Sequence, residues 1–349
     1  MSKNLSIINY LLPLQSVMKK VLITGVSGFI GSFIAQEALK RGFEVWAAVR
    51  KTTNRKHIAD ERIHIIELDL SSKEQMKSAF QGKSWDYVVH AAGVTKCLHR
   101  EEFFQINADG TDNFARALIE SDAVPERFVF ISSLSAFGAV REQLPYTEIL
   151  ETDTPQPNTA YGESKMRAEQ MLDALNDKME IVTLRPTGVY GPREKDYFLM
   201  AKSIKGHVDF AVGYKPQEIT FVYVNDLVNA IFLALERGKG GRKYFISDGN
   251  VYHSTDFSDL IRHELGDIRM LRIKAPVWFL RVVCTFGEIW AQMTGKMTAL
   301  NKDKFNILRQ RNWRCDITPA VNELGYKPEY DLPRGVKLTM EWYKKEGWI

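Results

Sequence analysis

The chain has 349 residues, 45% hydrophobic and 26% charged, with a formal net charge of +4. That length accommodates one large α/β domain with a smaller lobe, and the composition excludes a disordered or fibrous chain. The charge is mild and no lysine- or arginine-rich block stands out, so nucleic acid is not an expected partner.

Residues 1–17 carry an apolar patch from Leu5 to Leu12. They lack both the basic lead and the small-residue cleavage site of a secretory signal. They read as an extension expected to be disordered, with targeting or membrane contact as the alternatives. Met18-Lys19-Lys20 then runs directly into an apolar stretch, Val21-Leu22-Ile23-Thr24.

From there, apolar β-branched runs alternate with helical patterns, which predicts a parallel sheet covered on both faces. Strands are expected at 21–24, 44–49, 63–68, 87–90, 128–132 and 181–185, with a helix over 29–41 and others between the later strands. Near-continuous apolarity suits strands buried on both faces. Gly240-Gly241 leads into one more strand at 243–247. After Thr187, Gly- and Pro-rich turns break the alternation, and the last hundred or so residues read as mostly helical. The fold class is therefore α/β: a doubly wound parallel-sheet Rossmann domain over 18–187 and 220–248. A smaller, mostly helical substrate lobe, discontinuous in sequence, covers 188–219 and 249–349.

Gly25-Val26-Ser27-Gly28-Phe29-Ile30-Gly31 sits between the first strand and the first helix. Glycines there let the backbone approach a pyrophosphate, and the helix N-terminus faces its charge. The second strand ends Val49-Arg50-Lys51, where a carboxylate would be expected to bind the ribose 2′-hydroxyl of NAD. A cation there suits a 2′-phosphate, so NADP is expected over NAD. Asp69, ending the third strand, is a candidate partner for the adenine amino group.

Tyr161 and Lys165 are four apart and share one face of a helix. A tyrosine has a pKa near ~10. The Lys165 ammonium and a positive nicotinamide nearby are expected to lower that value and let Tyr161 exchange a proton with a carbonyl or alcohol oxygen. Lys165 can also hold the nicotinamide ribose, and Ser133, ending the fifth strand, is placed to hydrogen-bond the substrate oxygen. Cys97, Cys284 and Cys315 are scattered and read as reduced thiols in the cytoplasm. His90, His99 and His207 lack companions at ligand spacing, so no metal is expected.

Together with His90-Ala91-Ala92-Gly93, Asn107-Ala108-Asp109-Gly110-Thr111, Leu184-Arg185-Pro186-Thr187-Gly188-Val189-Tyr190-Gly191-Pro192 and Phe221-Val222-Tyr223-Val224-Asn225-Asp226, these motifs make residues 18–349 resemble an extended short-chain dehydrogenase/reductase of the NAD-dependent epimerase/dehydratase superfamily. The resemblance implies a catalytic set of Ser133, Tyr161, Lys165 and Asn107. It implies a cofactor bed of Gly25, Ser27, Gly28, Phe29, Ile30, Gly31, Arg50, Lys51, Asp69, Leu70, Ala91, Ala92, Gly93, Ser132, Tyr161, Lys165, Pro186, Gly188 and Val189. Substrate contacts are implied at Thr95, Ser133, Leu134, Ser135 and Tyr190, and a homodimer is frequent among such enzymes.

Sugar-nucleotide enzymes that this chain resembles commonly carry Asn and Arg where it has Gly188 and Ile219, although Lys215 or Arg193 could supply the missing cation from another loop. The pattern is more similar to the 3β-hydroxysteroid dehydrogenase-like and dihydroflavonol reductase-like branch, which acts on hydrophobic ketones and alcohols. A lipophilic small-molecule substrate is therefore the first expectation. A nucleotide-sugar epimerase, dehydratase or reductase is the second, and a non-catalytic NADP sensor on the same fold the third. The segment 276–300 is rich in large apolar residues but broken by Arg281, Glu288 and Lys296. It reads as a core helix of the lobe, a pocket wall or a peripheral membrane contact, not as a membrane span. The C-terminal turn, Trp342 to Ile349, is expected to dock aromatic side chains in the lobe.

Overall fold

A computed structural model describes residues 18–295, 298 and 301–349; the N-terminal extension expected at 1–17 lies outside the described residues. Seven parallel strands form the central sheet. In chain order with their flanking helices they are β1 (Lys20–Thr24), α1 (Phe29–Lys40), β2 (Glu44–Val49), β3 (Ile63–Glu67), α2 (Lys73–Phe80), β4 (Tyr87–His90), α3 (Gly110–Glu120), β5 (Arg127–Ile131), α4 (Ala160–Asp173), β6 (Ile181–Pro186), α5 (Val224–Arg237) and β7 (Lys243–Ile246). Their spatial order is β7-β6-β5-β4-β1-β2-β3. The order reverses between β1 and β4, and such a reversal opens a crevice at the carboxyl ends of the strands.

Strand alternation shows why these segments are so apolar. Val21, Ile23, Val129 and Ile131 point to one face, where they pack with Ile34, Ala35 and Ala38 of α1 and with the apolar side of α5. Leu22, Phe128 and Phe130 point to the other, against Met76 and Phe80 of α2, Phe114 and Leu118 of α3, and Leu172 of α4. Side chains alternate along a strand, so both faces must be apolar when both are covered. Burying a ring such as Phe128 contributes roughly 1.5–3 kcal/mol.

The lobe has its own core. Tyr190, Phe221, Tyr223 and Phe257 pack with Leu332, Val336, Met340 and Tyr343, the last four on helix Leu332–Lys345. Tyr343 stacks on Trp348 with centroids 5.7 Å apart. Strand Gly188–Tyr190 pairs in parallel with Phe221–Tyr223, so the chain leaves the sheet after β6 and returns to it through α5 and β7.

Candidate active site

A cleft of about 760 Å³ runs across the carboxyl ends of the strands, from the glycine turn to Tyr161. Gly25 has φ 67°, and a methyl group there would stand 2.5 Å from the Ala91 carbonyl oxygen; at Gly31 it would stand 2.2 Å from the Gly25 oxygen. Both positions therefore require glycine, which brings the turn, the β4 loop and α1 into contact. α1 begins at Gly28 with no side-chain cap and no acidic residue in its first turn. Its free N–H groups and positive dipole end point into the cleft, as a pyrophosphate requires. The cradle fits a dinucleotide.

A buried polar chain braces this end. The backbone N–H of Ala92 donates to Thr24 Oγ1 at 3.1 Å, which lies 2.9 Å from His90 Nδ1. His90 Nε2 lies 3.0 Å from Thr111 Oγ1, and that hydroxyl donates to the Asn107 carbonyl at 2.7 Å. Thr111 must then accept from Nε2–H, which leaves Nδ1 to accept from Thr24. Burial pushes the His90 imidazole down to about 3, so it stays neutral and structural.

At the other end, the Thr159 hydroxyl caps α4 by accepting from the Gly162 N–H at 2.9 Å, and the first turn carries Tyr161. Tyr161 is half-buried and lines the cleft with Ser133 and Lys165. Lys165 is buried, and its ammonium donates to the Ile131 carbonyl at 2.8 Å. Burial lowers its pKa to about 8, with the Glu169 carboxylate pulling the other way. Burial pushes the Tyr161 phenol above its ordinary value, with the Ser133 hydroxyl pulling the other way, and the Lys165 ammonium is held against the backbone of β5.

Asn107 is fully buried behind the cleft, on a π-helical turn over Phe104–Asp109. Its amide clamps Val94, accepting from the N–H at 2.8 Å and donating to the C=O at 3.0 Å, and also donates to Ser164 Oγ at 3.0 Å. It positions the loop that carries Gly93 without lining the cleft.

Of the other residues expected to touch ligands, Ser27, Gly28, Phe29, Ile30, Arg50, Asp69, Leu70, Ala91, Ala92, Gly93, Thr95, Ser132, Pro186 and Val189 line the cleft. Asp69 accepts from the Ser71 hydroxyl and N–H at 2.7 and 3.0 Å.

Five residues do not line it. Tyr190 is fully buried in the lobe core, its hydroxyl 3.2 Å from the Asp331 carbonyl. Leu134 is buried against Phe137, Ile149 and Phe245. Gly188 faces Tyr197 and Phe221. Ser135 sets its carbonyl against Gly162, and Lys51 projects into solvent. Conversely, Thr24, Thr53, Ser71, Gln105, Thr187 and Glu194 line the cleft without having been singled out. Only Thr187 carried a local signal, its place in the Arg-Pro-Thr motif. Arg193, a candidate to replace the missing arginine at Ile219, instead donates to Ser32 Oγ at 3.0 Å and covers the Phe33 ring.

Residues 21–247 match the NAD dependent epimerase/dehydratase family. The UDP-glucose 4-epimerase of Vibrio cholerae is 29% identical over 340 residues, 94% of this chain and 96% of that protein. The decarboxylating sterol-4-alpha-carboxylate 3-dehydrogenase of Schizosaccharomyces pombe is 25% identical over 347 residues, 94% of this chain and 98% of that one. The crystal structure of gox2253 shares the fold with a TM-score of 0.78 at 24% identity, covering 95% of this chain and 99% of that one. With its glycine cradle and the Ser133, Tyr161 and Lys165 groups on one cleft, the chain belongs to the NAD dependent epimerase/dehydratase family and is a nicotinamide-dependent oxidoreductase of the extended short-chain dehydrogenase/reductase type.

Proposed function

We propose that this enzyme uses NADP(H) to interconvert a ketone and a secondary alcohol on a lipophilic molecule of sterol-like, keto-lipid or polyphenol-like character, with Tyr161 carrying the proton. The observation that carries this reading is that Ser133, Tyr161 and Lys165 line the same cleft as the glycine cradle. A bound nicotinamide would supply or accept the hydride. Ser133 orients the substrate oxygen, and Tyr161 gives it a proton. A phenol with an ordinary pKa near ~10 is protonated at neutral pH; it can donate to a developing alkoxide in reduction and take the proton back in oxidation. Lys165, whose ammonium donates to the Ile131 carbonyl, would use its remaining N–H donors on the ribose hydroxyls.

Two features support an apolar substrate. Ile219 offers no guanidinium for a diphosphate, and Arg193 donates to Ser32, which leaves exposed Lys215 as the remaining candidate cation. The sterol dehydrogenase among the relatives favours the same class. The similarity to a UDP-glucose 4-epimerase favours a second reading, in which the substrate is a nucleotide sugar. A thermal-shift series with UDP, UDP-glucose and a 3-ketosteroid separates the two: strong stabilisation by the uridine nucleotides alone would overturn the lipophilic assignment. Tyr161→Phe should abolish NADPH-dependent turnover while NADPH affinity stays within about twofold, since a phenol contributes roughly 10²–10⁴-fold as a general acid; unchanged turnover would remove Tyr161 from the chemistry. For the cofactor, Arg50→Ala should weaken NADPH by about 10- to 100-fold and leave NADH nearly untouched, the loss of one charge-assisted contact to a phosphate. Equal losses for both cofactors would assign the site to NAD.

A further inference from the structure

Helix Val277–Thr294 is built inside out. It rests on the lobe through Leu280, Cys284 and Ala291, its buried residues. Trp278, Phe279, Val282, Phe286, Ile289, Trp290 and Met293 are all exposed. At about 3.6 residues per turn these seven fall on one arc of roughly 120° that no other residue of the helix enters. An ordinary surface helix puts its large apolar side chains inward and its charges outward. Here Trp278, Phe286 and Met293 are 68%, 68% and 82% exposed. Single exposed hydrophobics are commonplace, but a contiguous stripe marks a contact surface.

Charge selects what covers it. Residues 269–309 hold eight cations and two carboxylates, Glu288 and Asp303; among the cations, Arg272 is paired with Asp209 and Asp259 and Lys304 faces Asp196. Asp303 is already engaged by the backbone of α4. Lys274, Arg281 and Lys302 are exposed and form no ion pair among the described residues. An apolar stripe with a tryptophan near each end and a cationic margin matches a bilayer surface bearing anionic headgroups. A second copy of the chain would instead set the two cationic margins against each other, since a twofold contact pairs like patches. Among the described residues no helix is long and apolar enough to cross a membrane. At about 27 Å this one can lie in the interface plane.

We propose that helix Val277–Thr294 docks the enzyme on an anionic lipid surface, with the Trp278-to-Met293 stripe at the acyl boundary and Lys274 and Arg281 at the headgroups. The inference concerns the surface alone and stands whether the cleft takes a lipid or a nucleotide sugar.

The test is co-sedimentation of the full chain with vesicles of equal parts phosphatidylcholine and phosphatidylglycerol, and with vesicles of phosphatidylcholine alone, at low salt. The wild type should pellet with the anionic vesicles, at least about tenfold more tightly than with the neutral ones, and its tryptophan emission should shift to the blue. The triple variant Trp278→Ser, Phe286→Ser, Trp290→Ser should stay in the supernatant. Because those side chains are exposed, it should keep the wild-type melting profile. Arg281→Glu with Lys274→Glu leaves the stripe intact and should erase the preference for anionic vesicles, so the idea remains testable if the triple variant misfolds. Wild-type protein left in the supernatant with both vesicle types would overturn the proposal, as would pelleting that survives in a folded triple variant. A wild-type dimer that ignores vesicles and becomes monomeric in the triple variant would show that a second copy covers the stripe.

Discussion

The carboxylate of Asp303 accepts the backbone N–H of Ala160 at 3.1 Å and that of Tyr161 at 3.3 Å. The two residues that open α4 are thus held by a side chain from the lobe, 142 positions away from Tyr161. Thr159 takes the next N–H of the same turn, and Asn306 Nδ2 donates to the Asn158 carbonyl at 2.6 Å. Helix Lys302–Arg309 therefore grips the N-terminus of the helix that carries the phenol, where a carboxylate also complements the dipole.

Asp303→Ala should cost about 1 kcal/mol, the usual worth of an N-terminal cap. In a chain of 349 residues that is a drop of roughly 1–2 °C in melting temperature. If the contact also sets the position of Tyr161, turnover should fall about tenfold with NADPH affinity unchanged, and Asp303→Asn, which keeps one acceptor oxygen, should recover part of it. Steady-state kinetics beside a fluorescence titration of NADPH check this. Equal loss of binding and turnover would reduce Asp303 to a structural cap.

Lys165 gives a pH signature. Burial takes its pKa from the ordinary 10.5 to about 8, so between those values the unfolded chain binds the extra proton and the folded one does not. Stability from this group is complete above the unfolded value and is lost as pH falls through 8. The wild type should therefore gain on Lys165→Met as pH rises from about 8 to 10, by a few kcal/mol in all. Paired urea melts over that range measure it. A constant difference between the two proteins would mean that Lys165 is not desolvated as the structure places it.

What the sequence disclosed about this site was local, and what it hid was distant or set by alternation. The glycine turn and the Tyr161–Lys165 spacing each lie within one turn of chain, and both reach the cleft. Gly188, Val189 and Tyr190 could not all face a ligand. They form a strand, so once Val189 lines the cleft its two neighbours must point into the lobe, as they do. Ser133 and buried Leu134 part for another reason: Ser133 caps a short 3-10 turn over Leu134–Ala136 that carries Leu134 inward. Asp303 was illegible because only the fold brings it to α4. The pKa of Tyr161 depends on how deeply the phenol is set and on where the ammonium of Lys165 is anchored, and helix spacing specifies neither.

The glycine cradle makes a graded prediction. A methyl group at Gly31 would meet the Gly25 oxygen at 2.2 Å, and one at Gly25 would meet the Ala91 backbone at 2.5 Å from a positive φ; at Gly28 the nearest atom is the Gly25 oxygen at 3.2 Å. Backbone cannot swing aside as a flexible side chain can, so Gly31→Ala and Gly25→Ala should each lose more than about 2 kcal/mol of stability. Gly28→Ala requires a shift of only a few tenths of an ångström and should lose less than about 1 kcal/mol. All three should weaken NADPH binding, because the phosphates need the bare backbone over this turn. For Gly28→Ala the loss of affinity should appear in a protein whose melting temperature is nearly normal. Differential scanning fluorimetry with and without NADPH ranks the three. A Gly31→Ala protein as stable as the wild type would mean that α1 does not sit against Gly25 and that the turn is built differently.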